Sequence, residues 1–203
     1  MRKLISSFVL LTLVALPPVA VALGLLDWNV DPAHTEVNFS VRHFFTPVSG
    51  SFTDYQVDLQ FDPADPAASS VSAVIQVASI RTGVDARDQH LMSGDFFEAE
   101  RYPQITFRSS GVRSVGEGQM IATGELTIKD TAQTVELPIR LLGIQPIPEE
   151  MQEMFGGVTR VASFQADLTL DRNDFGVGVG SWAETAIVGS EVGITLLVEA
   201  NVR

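Results

Sequence analysis

The chain has 203 residues, no cysteine and a formal net charge of −12. Its length suits one domain with a substantial core, and the absence of cysteine excludes disulfides, thiol chemistry and cysteine-rich zinc sites. The negative charge disfavours nucleic acid as a partner, because acidic surfaces repel phosphate backbones.

The first segment has the features of an export signal. Arg2 and Lys3 precede an apolar run, and Ala20-Val21-Ala22 matches the small residues that signal peptidase accepts. We predict a cleaved signal peptide over residues 1–22 and a mature domain over residues 23–203, located in the periplasm and not stably inserted in a membrane. An uncleaved anchor is the alternative, because the apolar stretch is nearly long enough to span a bilayer.

Apolar and polar residues alternate through most of the remaining chain. In residues 36–43 the apolar positions are Val37, Phe39 and Val41, and the same period of two recurs in at least seven later segments. Strict alternation is typical of antiparallel strands with one dry face. Eight or more such strands in one domain predict a sandwich or a barrel. Two short helices are also predicted, over residues 85–92 and 148–155.

An eight-stranded barrel either fills its interior with side chains or holds one small ligand. Two adjacent pairs of phenylalanines, Phe44-Phe45 and Phe96-Phe97, break the period of two. At least one ring of each pair therefore leaves the strand face, which suits a barrel mouth where aromatic rings border a ligand.

The densest polar cluster, residues 79–91, leaves two interpretations open. Arg81, Arg87 and His90 could orient the polar head of a ligand, since arginine and histidine are good donors. Alternatively, the arginines could form a structural network with Asp85 and Asp88. The three histidines show no local spacing that favours a metal site, so we expect no metal.

Several segments resemble the YceI-like family of periplasmic polyisoprenoid-binding proteins. The opening stretch contains Asp31-Pro32-Ala33-His34, and the likeness covers residues 27–203 in the order and spacing of that family. Its further segments are Val37 to His43, Gly50-Ser51-Phe52, Ser79 to Gly83, Arg87 to Leu91, Asp95-Phe96-Phe97, Tyr102 to Phe107, Gly124 to Ile128 and Arg172 to Gly176.

The resemblance implies an extended, eight-stranded antiparallel lipocalin-like barrel with one or two short helices, whose tunnel holds a polyprenyl chain. Together with the alternation it predicts a ligand site formed by apolar tunnel and mouth residues. These are Phe39, Val41, Phe44, Phe45, Ile75, Leu91, Phe96, Phe97, Ile105, Phe107, Phe164, Phe175 and Trp182. The head-group candidates Arg81, Arg87 and His90 follow from the chemistry of the polar cluster and not from the resemblance.

The function that follows is carriage or storage of an isoprenoid or similar long-chain amphiphile, without catalysis. No cofactor is expected, apart from a bound isoprenoid lipid or quinone-like amphiphile. The expected partner is that lipid, and the sequence leaves open whether the protein forms a homodimer. Two alternatives stay open: a barrel enzyme that uses Asp88 and His90 as an acid–base pair, and a filled-core scaffold that binds another protein. Residues 145–157 look like an inserted flap, with Met151, Met154 and Phe155 as a lid.

Overall fold

The computed structural model describes residues 25–203, and the predicted signal peptide lies outside the described residues. Most of the described chain forms strands, and two short helices lie on the connections. The strands are β1 (Leu26–Val30), β2 (Glu36–His43), β3 (Thr46–Phe52), β4 (Tyr55–Phe61), β5 (Ser70–Gln76), β6 (Ile80–Arg81), β7 (Gln104–Gly116), β8 (Gln119–Ile128), β9 (Thr131–Pro146), β10 (Arg160–Asp171) and β11 (Val188–Val202). The helices are α1 (Asp85–Met92) and α2 (Glu149–Gln152).

All the strands belong to one antiparallel sheet that closes on itself. Three long strands are interrupted: β1 continues into β2 across the 3₁₀ turn Pro32–His34, β3 continues into β4, and β5 continues into β6 across the 3₁₀ turn Val77–Ser79. The two parts of each interrupted strand pair with the two parts of the next one. β2 pairs with β3 and β1 with β4, and in turn β3 pairs with β6 and β4 with β5. Counted this way, the ring has eight strands. The predicted eight-stranded antiparallel barrel with short helices is confirmed.

Alternation along the strands places apolar side chains inside the barrel. On β10, for example, Ala162, Phe164 and Ala166 are buried and point inward together, as period two requires. The buried side chains form three clusters along the barrel axis. The first includes Val77, Ile80, Phe96 and Phe175, the second Ala122, Leu137 and Ala166, and the third Trp28, Phe61, Met120 and Phe164.

Because the strands run alternately up and down, their connections gather at two ends of the barrel. The α1 end is formed by the turn at residues 44–45, the segment 82–103, the turn at 129–130 and the segment 172–187. The α2 end is formed by residues 62–69, 117–118 and 147–159, together with the two ends of the described chain. The first buried cluster lies toward the α1 end and the third toward the α2 end.

The two helices are short and sit outside the ring. Helix α1 has the predicted bounds, whereas α2 covers only the first turn of the predicted segment 148–155 and is followed by turns up to Gly157. Within residues 25–203 no helix has the length and apolar character needed to cross a bilayer.

Gly50 provides the space that an inward aromatic ring needs. It pairs with Phe39 across β2 and β3. A β-carbon at Gly50 would collide with the Phe39 ring and would lie 2.9 Å from the backbone oxygen of Arg81. The ring therefore lies over the glycine, an arrangement known from other sheets in which aromatic side chains cover a cross-strand glycine.

We expect Gly50→Ala to lower the free energy of unfolding by about 1–3 kcal/mol, because the added methyl group overpacks the wall. Chemical denaturation would measure the change. Gly193→Ala is the matched control, since a β-carbon there meets nothing closer than the Ser40 backbone oxygen at 3.9 Å. Equal stabilities for the two variants would contradict the steric role of Gly50.

Candidate functional site

The barrel encloses a cavity of about 280 Å³ whose wall is apolar. Each of the eight strands of the ring contributes side chains to this wall, although β1 itself does not and its strand contributes through β2. Residues of α1 and of the segments that close the α1 end also line the cavity. Ten of the residues predicted for the ligand site line this cavity. They are Phe39, Val41, Ile75, Leu91, Phe96, Phe97, Ile105, Phe107, Phe164 and Phe175.

Three predicted mouth residues do not line the cavity. Phe44 and Phe45 form the turn between β2 and β3, where they are 49% and 94% exposed. Trp182 is half-buried behind the cavity wall, with its ring 5.7 Å from that of Phe96 and 5.0 Å from that of His90. Phe44 and Phe45 point away from the cavity because the tight turn departs from the strand face. Trp182 instead packs behind Phe96, whose ring lines the cavity.

An aromatic cluster closes the cavity toward the α2 end. The Phe61 ring meets the Phe164 ring edge-on at 5.1 Å, and both line the cavity. Behind them the Trp28 indole lies 6.1 Å from Phe61 and donates its N–H to the Phe61 backbone oxygen at 3.0 Å. This hydrogen bond fixes the indole behind Phe61, so Trp28, Phe61 and Phe164 together form the aromatic cluster at this end of the cavity.

The α1 end is closed by the two long connections, which meet over the mouth. Phe96 and Phe97 from the segment 82–103 line the cavity, and so do Phe175 and Val177 from the segment 172–187. The amide of Val179 donates to the backbone oxygen of Asp95 at 2.8 Å, which joins the two segments.

The few polar side chains at the wall already have partners within the protein. They are Thr35, Asn38, Tyr55, Ser69, Ser70 and Arg172. Each takes part in a hydrogen bond to another protein group; the Tyr55 hydroxyl, for example, donates to the Thr35 backbone oxygen at 2.6 Å. Burial raises the pKa of Tyr55 above its usual value of 10.0, so its hydroxyl stays protonated and donating. The wall is therefore suited to hydrocarbon and not to a charged head.

Arg172 was not among the predicted site residues, although it is the one buried guanidinium at this wall among the described residues. It donates to the backbone oxygens of Gly189 at 2.8 Å, Val177 at 2.8 Å, Trp182 at 2.6 Å and Val188 at 3.0 Å. Burial lowers its pKa from the usual value, because no acidic group compensates fully for the lost water. These bonds tie the segment 172–187 to the start of β11. The residues around it carry the family resemblance, which is the signal that could have singled it out.

None of the three head-group candidates lines the cavity. The exposed Arg81 donates to the backbone oxygen of Ile80 at 2.6 Å. Arg87 donates to the hydroxyl and the backbone oxygen of Thr82, each at 2.8 Å. The buried Asp88 accepts from the Thr82 amide at 2.9 Å. Arg87 and Asp88 therefore meet at Thr82 and hold α1 against β6. The network of arginines with Asp85 and Asp88 considered from the sequence is not formed as direct ion pairs among the described residues.

The acid–base pair Asp88–His90 considered from the sequence is not formed. Asp88 is bonded to Thr82, and His90 Nε2 lies 2.9 Å from the Asp95 carboxylate. The His90 ring also meets the rings of Phe96 and Trp182 edge-on. His90 thus helps to join the two segments that cover the mouth.

One group of side chains in the described residues could bring metal-ligating atoms together. Asp31, His34 and Glu199 each place one such atom within 4.8 Å of the others, on the seam between β1–β2 and β11. His34 Nδ1 lies 3.0 Å from Asp31 and 3.6 Å from Glu199. The hydrogen bond with Asp31 raises the pKa of His34, and the same bond lowers the pKa of Asp31. The two carboxylates therefore favour the protonated form of the imidazole.

Comparisons with known proteins agree with this architecture. The family model described as the YceI-like domain matches residues 28–200. A UPF0312 protein of Ectopseudomonas mendocina is 33% identical over 154 residues, which are 74% of this chain and 76% of that protein. BcnA of Burkholderia cenocepacia superposes with a TM-score of 0.75 at 31% identity, covering 84% of this chain and 99% of that one. A polyisoprenoid-binding domain of Saccharophagus degradans shares the fold at a TM-score of 0.61 and 12% identity, covering 87% and 98%.

We expect Arg172→Met to lower the free energy of unfolding by about 3 kcal/mol, because several buried backbone oxygens lose a charged donor. Denaturant titration would measure the loss. Arg140→Met is the control: Arg140 is exposed and donates only to the Gln165 side chain among the described residues, at 2.7 Å. A loss at Arg172 no larger than that at Arg140 would contradict the proposed tie.

The Asp31–His34 pair should make stability depend on pH. Because the folded-state pKa of His34 lies above the usual 6.5, the pair stabilises the fold fully below that value and less as pH rises through the raised pKa. At low salt, raising the pH from 6 to 8 should therefore lower the thermal midpoint of the wild type more than that of His34→Gln. His43→Gln, outside the cluster, should keep the wild-type dependence. Parallel curves for the wild type and His34→Gln would contradict this.

Proposed function

The chain belongs to the YceI-like family, and on that premise we propose that it binds a long-chain amphiphile in the barrel cavity and carries or stores it in the periplasm without catalysis. The ligand class is an isoprenoid lipid or a quinone-like amphiphile. The observation that carries this proposal is an enclosed cavity with an apolar wall built from every long strand of the ring. The polyisoprenoid-binding domain of Saccharophagus degradans, which shares the fold, supports the choice of ligand.

Removal of hydrocarbon from water supplies the binding free energy. Each buried methylene contributes roughly 0.8 kcal/mol, so a chain of about fifteen carbons gains about 12 kcal/mol before costs. Association itself costs about 4–15 kcal/mol. Because the gain grows with every carbon while this cost is nearly fixed, affinity should rise with tail length until the cavity is full.

The wall also supports a binding role without a reaction. Two ionisable side chains face the cavity among the described residues, Tyr55 and Arg172, and both donate to backbone oxygens. Neither forms a hydrogen bond with a carboxylate or an imidazole of the described residues. The periplasmic location rests on the export signal predicted over residues 1–22.

Solvent extraction of the purified protein, followed by mass spectrometry of the extract, tests the proposal directly. We expect a long-chain isoprenoid or quinone-like compound in stoichiometric amount. An extract without such a compound, from protein that also fails to take up an added isoprenoid alcohol, would refute it.

Filling the cavity should remove the ligand and leave the fold intact. Ala73 lines the cavity on β5, and the neighbouring Ser72 points outward, where its hydroxyl donates to Asp58 at 3.3 Å. We expect Ala73→Trp to reduce bound lipid on the order of tenfold, which corresponds to about 1.4 kcal/mol of binding free energy. Ser72→Trp is the matched control, with the same side chain on the opposite face. Equal lipid contents in the two folded variants would argue against binding inside the barrel.

A further inference from the structure

Exposed apolar side chains surround the α1 end of the barrel. We call this set the mouth rim, and it consists of Phe44, Phe45, Val84, Val179 and Ile187. The least exposed member is 41% accessible and Phe45 is 94% accessible. The rim residues lie on or beside the connections 82–103 and 172–187, which cover the α1 end of the cavity. Apolar surface is therefore exposed on the outside of that end. Exposed apolar surface of this kind marks interaction sites in soluble proteins.

Phe44 and Phe45 form the phenylalanine turn, which hydrogen bonds, and not burial of its rings, hold in shape. Phe44 has a φ of 52°, in the left-handed region that non-glycine residues rarely adopt. Its amide donates to the backbone oxygen of Ile187 at 2.7 Å, and its own backbone oxygen accepts from the Arg42 guanidinium. Arg42 also donates to the Thr185 backbone oxygen at 3.1 Å. The surrounding structure thus fixes a strained turn that presents two rings to solvent, a combination that points to a functional role.

Charge distinguishes the hairpin that carries Phe44 and Phe45 from the exposed apolar side chains at the α2 end. At the α2 end Met151, Met154 and Phe155 are exposed, but the acidic residues of the same segment, Glu149, Glu150 and Glu153, surround them. By contrast, residues 37–53, which include the phenylalanine turn, contain Arg42 and His43 and no acidic residue. In a chain with a net charge of −12 this hairpin is a local exception. A negatively charged surface would meet less repulsion at Phe44 and Phe45 than at the acidic segment around α2. The lower negative charge is confined to this hairpin, because Asp85 follows Val84 and Glu184 lies near Ile187 on the rest of the rim.

We propose that the mouth rim docks on a phospholipid bilayer, with Phe44 and Phe45 inserted at the level of the headgroups, so that lipid enters and leaves the barrel at the α1 end. This rests on the proposed function, because a long-chain ligand resides in membranes when it is not enclosed. Aromatic rings are favoured at the boundary between headgroups and acyl chains. Binding at that boundary combines apolar burial with attraction between basic residues and anionic lipids.

Vesicle sedimentation tests the docking surface. Protein purified after expression of the full chain is mixed with vesicles of phosphatidylcholine, or of phosphatidylcholine with phosphatidylglycerol. We expect the wild type to sediment with both and to bind the anionic vesicles more strongly. The double variant Phe44→Ser/Phe45→Ser should bind on the order of tenfold less, because two large apolar side chains no longer leave water. The matched control Met154→Ser/Phe155→Ser, at the α2 end, should bind like the wild type.

Three outcomes would overturn the docking proposal. One is a wild type that sediments with neither vesicle, which would leave the mouth rim as a surface for a protein partner. The second is an unchanged Phe44→Ser/Phe45→Ser variant, and the third is an equal loss in the control at the α2 end. Solvent extraction of the same samples keeps the two proposals distinct. The rim variant should retain wild-type lipid because its cavity wall is unchanged, whereas a wild type without lipid would count against the proposed function, whatever its vesicle binding.

Discussion

Hydrogen bonds between β11 and the interrupted strand β1–β2 close the sheet into a ring, and the cavity depends on that closure. Where the first strand breaks, Thr35 and Glu199 exchange two hydrogen bonds, with Glu199 N–H donating to the Thr35 hydroxyl at 3.2 Å and that hydroxyl lying 3.4 Å from the Glu199 backbone oxygen. The amide of Asp31 donates to the same oxygen at 2.8 Å. A closed ring leaves no free sheet edge, so each strand is held by two neighbours. Because its backbone hydrogen bonds hold the ring closed, the barrel can keep a cavity that its own side chains do not fill.

Closure and alternation together explain why the interior is apolar. Every second residue of each strand points inward, and the polar side chains that reach the wall form hydrogen bonds within the protein. Tyr55 and Arg172 donate to backbone oxygens, for example, and thereby connect neighbouring parts of the wall. These residues stabilise the barrel and do not add polarity to its interior. The same residues thus support the fold and define the chemistry of the cavity.

The sequence predicts what depends on local spacing and misses what depends on distant contacts. Period two predicts the strands and most of the cavity wall, because inward and outward faces alternate whatever the tertiary structure. Phe44 and Phe45 could not be placed in the same way, since the direction of a turn residue depends on its backbone conformation. Arg172 and the Asp31–His34–Glu199 group escaped notice because their partners lie on other segments; Asp31 and Glu199 are 168 positions apart in the sequence but adjacent across the seam. The partner of Arg87, by contrast, is near in sequence: Arg87 donates to Thr82, five positions earlier, a contact that depends on how α1 turns back on β6 and not on residue spacing alone.

The ends of the cavity, more than its wall, must decide which amphiphile fits. Along the wall the side chains offer hydrocarbon contacts, which reward any tail in proportion to the area buried. Each polar side chain at the described wall already takes part in a hydrogen bond within the protein, so a polar head is better accommodated outside the ring. At the α2 end the rings of Phe61 and Phe164 meet edge-on, and Trp28 donates to the Phe61 backbone oxygen behind them, so this aromatic cluster limits the length of any tail in the cavity. At the α1 end the cover consists of connections instead of sheet. In the proposed complex the tail would therefore end against Phe61 and Phe164, and the head would lie at the α1 end, where connections and not strands cover the cavity.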